Sequence, residues 1–138
     1  MIERPSPNND ARAPGQGIDM LILHYTGMTS TEAALDRLCD PDARVSAHYL
    51  IDESGTIHRL VPDQRRAWHA GVSSWAGDTD INDRSIGIEL SNPGHEFGYT
   101  PFPEAQMASL EILSRDICAR HGIAPRRVLG HADVAPSR

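Results

Sequence analysis

The chain has 138 residues, enough for one domain around one core, and carries a net charge of −6 with its histidines neutral. That charge, with no stretch that concentrates Lys and Arg among aromatics, excludes a dedicated nucleic-acid binder. No run reaches transmembrane length and no basic-then-apolar segment opens the chain, so we expect a soluble cytoplasmic monomer, with a periplasmic location open if the N-terminus was trimmed.

Residues 1–17 are rich in Pro, Asn, Gly and Arg and lack apolar periodicity. They read as an arm that is either laid along the domain at 18–138 or partly disordered. Met20-Leu21-Ile22-Leu23-His24-Tyr25-Thr26-Gly27 then gives a buried strand over about 19–25 that delivers a histidine to its end. Strand ends are where α/β proteins commonly keep their chemistry. Thr29-Ser30-Thr31-Glu32 supplies helix caps, Ala34, Leu35, Leu38 and Cys39 an apolar face, and Asp40-Pro41 a stop. Residues 45–51 and 56–61 are β-rich around the turn Asp52-Glu53-Ser54-Gly55, a hairpin pattern.

Residues 63–84 lack clear periodicity but hold Trp68, His69, Gly71 and Trp75, and such loops usually carry function. Ser85-Ile86-Gly87-Ile88-Glu89-Leu90 is a second buried strand, here carrying a carboxylate. A loop is expected at 91–102 and a helix from Pro103 to about His121, with Met107, Leu110, Ile112, Leu113, Ile117 and Cys118 on its apolar face and Gly122 as its stop. Arg127-Val128-Leu129-Gly130-His131 is a short strand that again ends in histidine. Strands interleaved with two helices, one pair as a hairpin, predict a single α/β domain with a mixed central sheet. Cys39 and Cys118 form no CxxC pair and are expected to be reduced thiols.

His24, Glu89 and His131 therefore lie at or near the ends of three strand-like runs. If the strands are neighbours, two neutral imidazoles plus another donor make a zinc site, and Glu89, raised in pKa among Ile86, Ile88 and Leu90, is placed to take a proton from water. The bland reading stays open, and ahead, at this point: histidines that fall where they fall, and a glutamate paired with an arginine.

LILHYTG, VSAHYLI, AWHAGVSSW, NDRSIGIELSNPG and GHADVAP, in that order and at these separations, resemble the zinc-dependent N-acetylmuramoyl-L-alanine amidases. That family includes phage lysozyme-type amidases and peptidoglycan recognition proteins. The resemblance spans roughly residues 18–138 and is nearest to the bacterial branch acting on murein fragments and anhydro-muropeptides, which the Ser6-Pro7-Asn8 arm and the TPFPEAQ helix start also fit. It implies a mixed sheet with helices packed on it and zinc (Zn2+) as cofactor at one end of a groove. His24 and His131 would be metal ligands, and Glu89 the general base or the residue orienting the attacking water. The reaction implied is hydrolysis of the amide joining the lactyl group of N-acetylmuramic acid, or its anhydro form, to L-alanine of a stem peptide. No covalent enzyme intermediate is implied, and the partners would be muropeptides.

The family's third ligand is an Asp or Cys some ten residues beyond the second histidine, with a catalytic Lys before it. The sequence stops at Ala135-Pro136-Ser137-Arg138, short of both, and we expect the natural chain to continue. Asp133 matches a separate acidic position and is expected to be structural. The other function consistent with a missing ligand is a muropeptide-binding module without activity.

The resemblance also assigns substrate contacts. Arg44 matches a position that pairs with a stem-peptide carboxylate in some relatives, and guanidinium–carboxylate pairing makes that chemically sound. From the residues themselves, Tyr49 is expected on the groove wall, Trp68 and His69 on its lip because Gly71 permits close backbone approach, and Asn92 either against substrate or turning the chain. His48 is expected as a structural partner of the site and Trp75 as packing, with His58, His95 and His121 as surface or capping residues.

Overall fold

The computed structural model describes residues 1–71, 73–92 and 101–134, without the side chains of Ala132 and Val134. Most of the loop expected at 91–102, with His95, lies outside the described residues, as do 135–138.

In chain order the elements are β1 (Ile2–Glu3), β2 (Asn9–Ala11), β3 (Met20–Tyr25), α1 (Thr31–Leu38), β4 (Tyr49–Ile51), β5 (Ile57–Arg59), β6 (Arg65–Ala67), β7 (Ser74–Trp75), β8 (Asp78–Thr79), α2 (Ile81–Arg84), β9 (Ser85–Leu90), α3 (Glu104–His121), β10 (Val128–Gly130) and α4 (His131–Val134). The main sheet runs β1-β5-β4-β9-β3-β10. The β4–β5 hairpin is antiparallel and the other neighbours in that sheet are parallel, so the sheet is mixed as the sequence predicts.

Alternation along the central strands divides the core in two. Leu21 of β3, Tyr49 and Ile51 of β4, and Ile86, Ile88 and Leu90 of β9 pack against Leu113 and Ile117 of α3. On the other face Leu50 meets Ala34, Leu35 and Leu38 of α1, and Met20 and Ile22 meet Ala70 and Ile81. Ile86 and Ile88 are fully buried, and each such side chain contributes about 1.5–3 kcal/mol. His24, Ser85, Gly87 and Glu89 share the face away from α3 by the same alternation.

The α1 helix starts where Ser30 accepts from Ala33 N–H at 3.0 Å, as its capping residue type requires. The α3 helix departs from the predicted face: Ile112 is 71% exposed, whereas Gln106 is fully buried and donates to Ile51 O at 2.9 Å and Ser91 O at 3.2 Å. Residues 106, 110, 113 and 117 lie on one stripe, and 112 is a third of a turn off it.

The N-terminal arm is laid on the domain. Parallel β1–β5 pairing and antiparallel β2–β6 pairing hold it, and Arg12 donates to the carbonyls of Asp63, Asn82, Asp83 and Ser85. Cys39 and Cys118 are free and pack on opposite faces of the sheet. Residues 63–84, read as a loop, contain β6, β7, β8 and α2, all too short to show a period.

Candidate functional site

Sheet register assembles the site. β9 pairs with β3 so that Glu89 lies directly beside His24. β10 pairs with β3 as far as Gly130 and Leu23, so the next residue, His131, falls beside His24 on its other side. Three residues from distant parts of the chain thus form one row across three adjacent parallel strands, at their carboxyl ends where open α/β sheets place ligands. His131 is also the first residue of α4, not only a strand end as predicted. Asp133 accepts from Gly130 N–H at 2.8 Å, the structural role expected of it.

The rings of His24 and His131 lie 4.8 Å apart, with their Nδ1 atoms 2.9 Å from each other. Two imidazole nitrogens on a tetrahedral zinc lie about 3.3 Å apart, so this pair fits such an ion with a small opening. His69 Nδ1 lies 2.9 Å from His24 Nε2, on the far side of the ring, and does not converge with the pair. Among the described residues no group of three or more His, Cys, Asp or Glu is arranged to hold a metal.

Glu89 is half-buried, yet its Oε2 is shielded from solvent and has no hydrogen-bond partner among the described residues. Burial pushes its carboxyl up to about 8. The arginine partner of the bland reading is not found among the described residues, and the orphaned Oε2 is the observation that favours a functional carboxyl.

The row forms part of the wall of a cavity of about 830 Å³ that is also lined by Met28, Leu90, Trp68 and Phe102. Trp68, expected on the groove lip, lines this cavity, with its indole N–H donating to Asp10 at 3.2 Å. Trp68, His69 and Val45 also border a second cavity of about 800 Å³, where Arg44 lies, so Arg44 is next to the main cavity and not in it. Arg37, on α1, lines the main cavity and was not picked out from sequence.

Two predicted substrate contacts are placed elsewhere, and a third is more deeply buried than a lip residue. Tyr49 is 3% exposed on the α3 face and donates to Asp63 Oδ1 at 2.7 Å, because the pleat turns it away from Glu89. Asn92 is buried and lines neither cavity; its backbone O accepts from Gly27 N–H at 2.9 Å and its N–H donates to Thr26 Oγ1 at 3.3 Å. His69 lines both cavities, but its ring is buried between His24 and Ser85, with Nε2 3.0 Å from Ser85 Oγ. Burial holds His69 well below the usual imidazole range, and His24, His48 and Arg12 push the same way. His48 is the structural neighbour expected, its Nδ1 accepting from Gly87 N–H at 3.0 Å. Ser85 and Asn82, which hold His69, carried no sequence signal; a serine opening a strand and an asparagine in a short helix look ordinary.

The profile of the N-acetylmuramoyl-L-alanine amidase family matches residues 14–138. The chain is 39% identical over 154 residues to N-acetylmuramoyl-L-alanine amidase AmiD of Escherichia coli strain K12, which covers 100% of this chain and 55% of AmiD, so the chain spans about half of that relative. It is 35% identical over 151 residues to 1,6-anhydro-N-acetylmuramyl-L-alanine amidase AmpD of Haemophilus influenzae, covering 96% of this chain and 80% of AmpD. The structure is similar to that of E. coli AmiD in complex with the substrate anhydro-N-acetylmuramic acid-L-Ala-D-gamma-Glu-L-Lys, with a TM-score of 0.81 and 41% identity over 92% of this chain and 54% of that one.

Proposed function

The chain belongs to the N-acetylmuramoyl-L-alanine amidase family, and we propose that it hydrolyses the amide between anhydro-N-acetylmuramic acid and L-alanine of a stem peptide. The row His131–His24–Glu89 carries this reading, since it sets two facing imidazole nitrogens beside a carboxyl whose buried Oε2 has no partner among the described residues, in a cavity wall. The donor set suits zinc held by His24 and His131, which when bound would supply Lewis-acid polarisation of the amide carbonyl and activation of water.

The chain's own residues do the rest. Glu89 Oε2 accepts the proton of the attacking water, and the same carboxyl returns it to the departing alanine nitrogen. A group poised near neutrality by burial suits both transfers. Met28, Leu90 and Phe102 give the cavity an apolar lining beside the row. Trp68 offers an aromatic face to the sugar, and Arg44 a guanidinium to a stem-peptide carboxylate.

The test is zinc content and release of free peptide from an anhydro-N-acetylmuramoyl peptide by the protein expressed from its own gene. Glu89→Gln should keep the metal and lose about 10²–10⁴-fold in kcat, whereas His24→Ala should lose the metal. Peptide release that survives Glu89→Gln overturns this assignment. Muropeptide binding with no cleavage by the wild type supports the inactive binding module instead.

A further inference from the structure

We infer that His69 and Ser85 fix the tautomer of His24 and so aim its Nδ1 lone pair at the metal position, an inference that rests on the metal reading above. The hydrogen bonds begin at a carbonyl, which only accepts. Ser85 Oγ lies 2.6 Å from Ile81 O and donates its single hydrogen there. Ser85 therefore meets His69 Nε2, 3.0 Å away, as an acceptor, and His69 carries its hydrogen on Nε2. In the neutral ring Nδ1 is then a bare lone pair, and His24 Nε2 lies 2.9 Å from it. A hydrogen bond across that gap requires His24 to donate from Nε2. Its own lone pair is left on Nδ1, the atom that faces His131 Nδ1.

The relay is held in place from two sides. The backbone N–H groups of His69 and Ala70 both donate to Asn82 Oδ1, at 3.0 and 2.8 Å. The imidazole lies flat enough on β9 that a Cβ at Gly87 would come within 2.5 Å of its Cγ. Gly87 is thus the space in the central strand that the ring occupies. Ile81, Asn82 and Ser85 all come from α2 and the start of β9, which Arg12 pins through the carbonyls of Asn82, Asp83 and Ser85. His69 acts through His24, as a positioning residue, because a ligating imidazole binds metal best when its other N–H is held by an acceptor.

Two measurements test this. Long-range ¹H–¹⁵N correlation spectra of the metal-free wild type read each imidazole tautomer. His24 and His69 protonated on Nε2 is the expected result, and His24 protonated on Nδ1 overturns the relay. Zinc affinity, measured by competition with a chelating dye, is the second readout. His69→Phe, which cannot accept a hydrogen bond, and Gly87→Ala, which displaces the ring while keeping every polar group, should each weaken zinc about 10- to 100-fold. His69→Gln, whose amide oxygen can accept from His24, should recover much of that loss. Unchanged affinity in a folded His69→Phe variant overturns the inference. Where a variant fails to fold, the wild-type spectrum still decides, and a wild type that binds no zinc would sink the metal reading while that spectrum judges the relay by itself.

Discussion

Glu89 Oε2 is a buried carboxylate oxygen with no partner among the described residues, and that arrangement costs stability. A buried unpaired group of this kind costs about 1–3 kcal/mol. Glu89→Leu, which replaces the carboxyl by an apolar group of similar size, should therefore raise the Tm of the metal-free protein by about 4 °C per kcal/mol recovered, and should abolish peptide release. Calorimetry checks this, and a fall in Tm would mean that the carboxyl is satisfied in solution. At this scale His24, Glu89 and His131 were legible because each interrupts or ends an apolar run. His69 drew attention through its loop and the nearby Gly71, and nothing local indicates that Asn82 holds its backbone and Gly87 makes room for its ring. Tyr49 was misplaced although its strand was right, since one residue of register sends a side chain to the opposite face.

The elements follow their periodicity wherever an apolar run exceeds about five residues. β3, β9, α1 and α3 all fall close to their predicted limits, and the hairpin β4–β5 appears with its turn at Asp52–Gly55. The short pieces β6, β7, β8 and α2 escaped because two to four residues cannot display a period. The hairpin turn is also an anchor for α3. Gly55 has φ +88°, and a Cβ there would lie 2.7 Å from Ala105 O and 2.9 Å from Ser109 Oγ, which donates to Gly55 O at 2.6 Å. Gly55→Ala must both strain the backbone and push the first turns of α3 away. The expected cost is about 2 kcal/mol in urea unfolding, and a change below about 0.5 kcal/mol would show that the turn and helix are not coupled.

Across the whole molecule, pH acts through buried histidine. His48 is fully buried, and desolvation holds it at about 4; Arg12 and His121 add to the effect, while the Arg65 carbonyl and Asp63 oppose it. An unfolded histidine titrates near 6.5, so the unfolded chain binds the proton more readily. Stability should be greatest above pH 6.5 and fall as pH drops from there to about 4, by on the order of 3 kcal/mol. Urea titrations at steps between pH 7.5 and pH 4 measure this, and His48→Asn should flatten the slope in that window. Below it, Asp63 takes over. Burial pushes its carboxyl up, but hydrogen bonds from His121, Tyr49 and Arg120, with the Arg120 charge, outweigh that and hold it below the usual range. The stability it contributes is complete above its ordinary pKa and is lost as pH falls further. No helix among the described residues is long and apolar enough to cross a membrane.

The sequence by itself determined the α/β class, the long strands and helices, and the residues that pair chemical capacity with an apolar setting. Those properties are local, since hydrophobic period and chain-breaking residues act within a window of a few residues. Only the tertiary structure decided the strand order that puts β9 and β10 on either side of β3, and so turned three separate run-ends into one row. It likewise decided that the N-terminal arm is structural and that His69, which lines the cavity, also stands behind His24. Parallel pairing joins segments tens of residues apart, and no local pattern encodes which of them become neighbours.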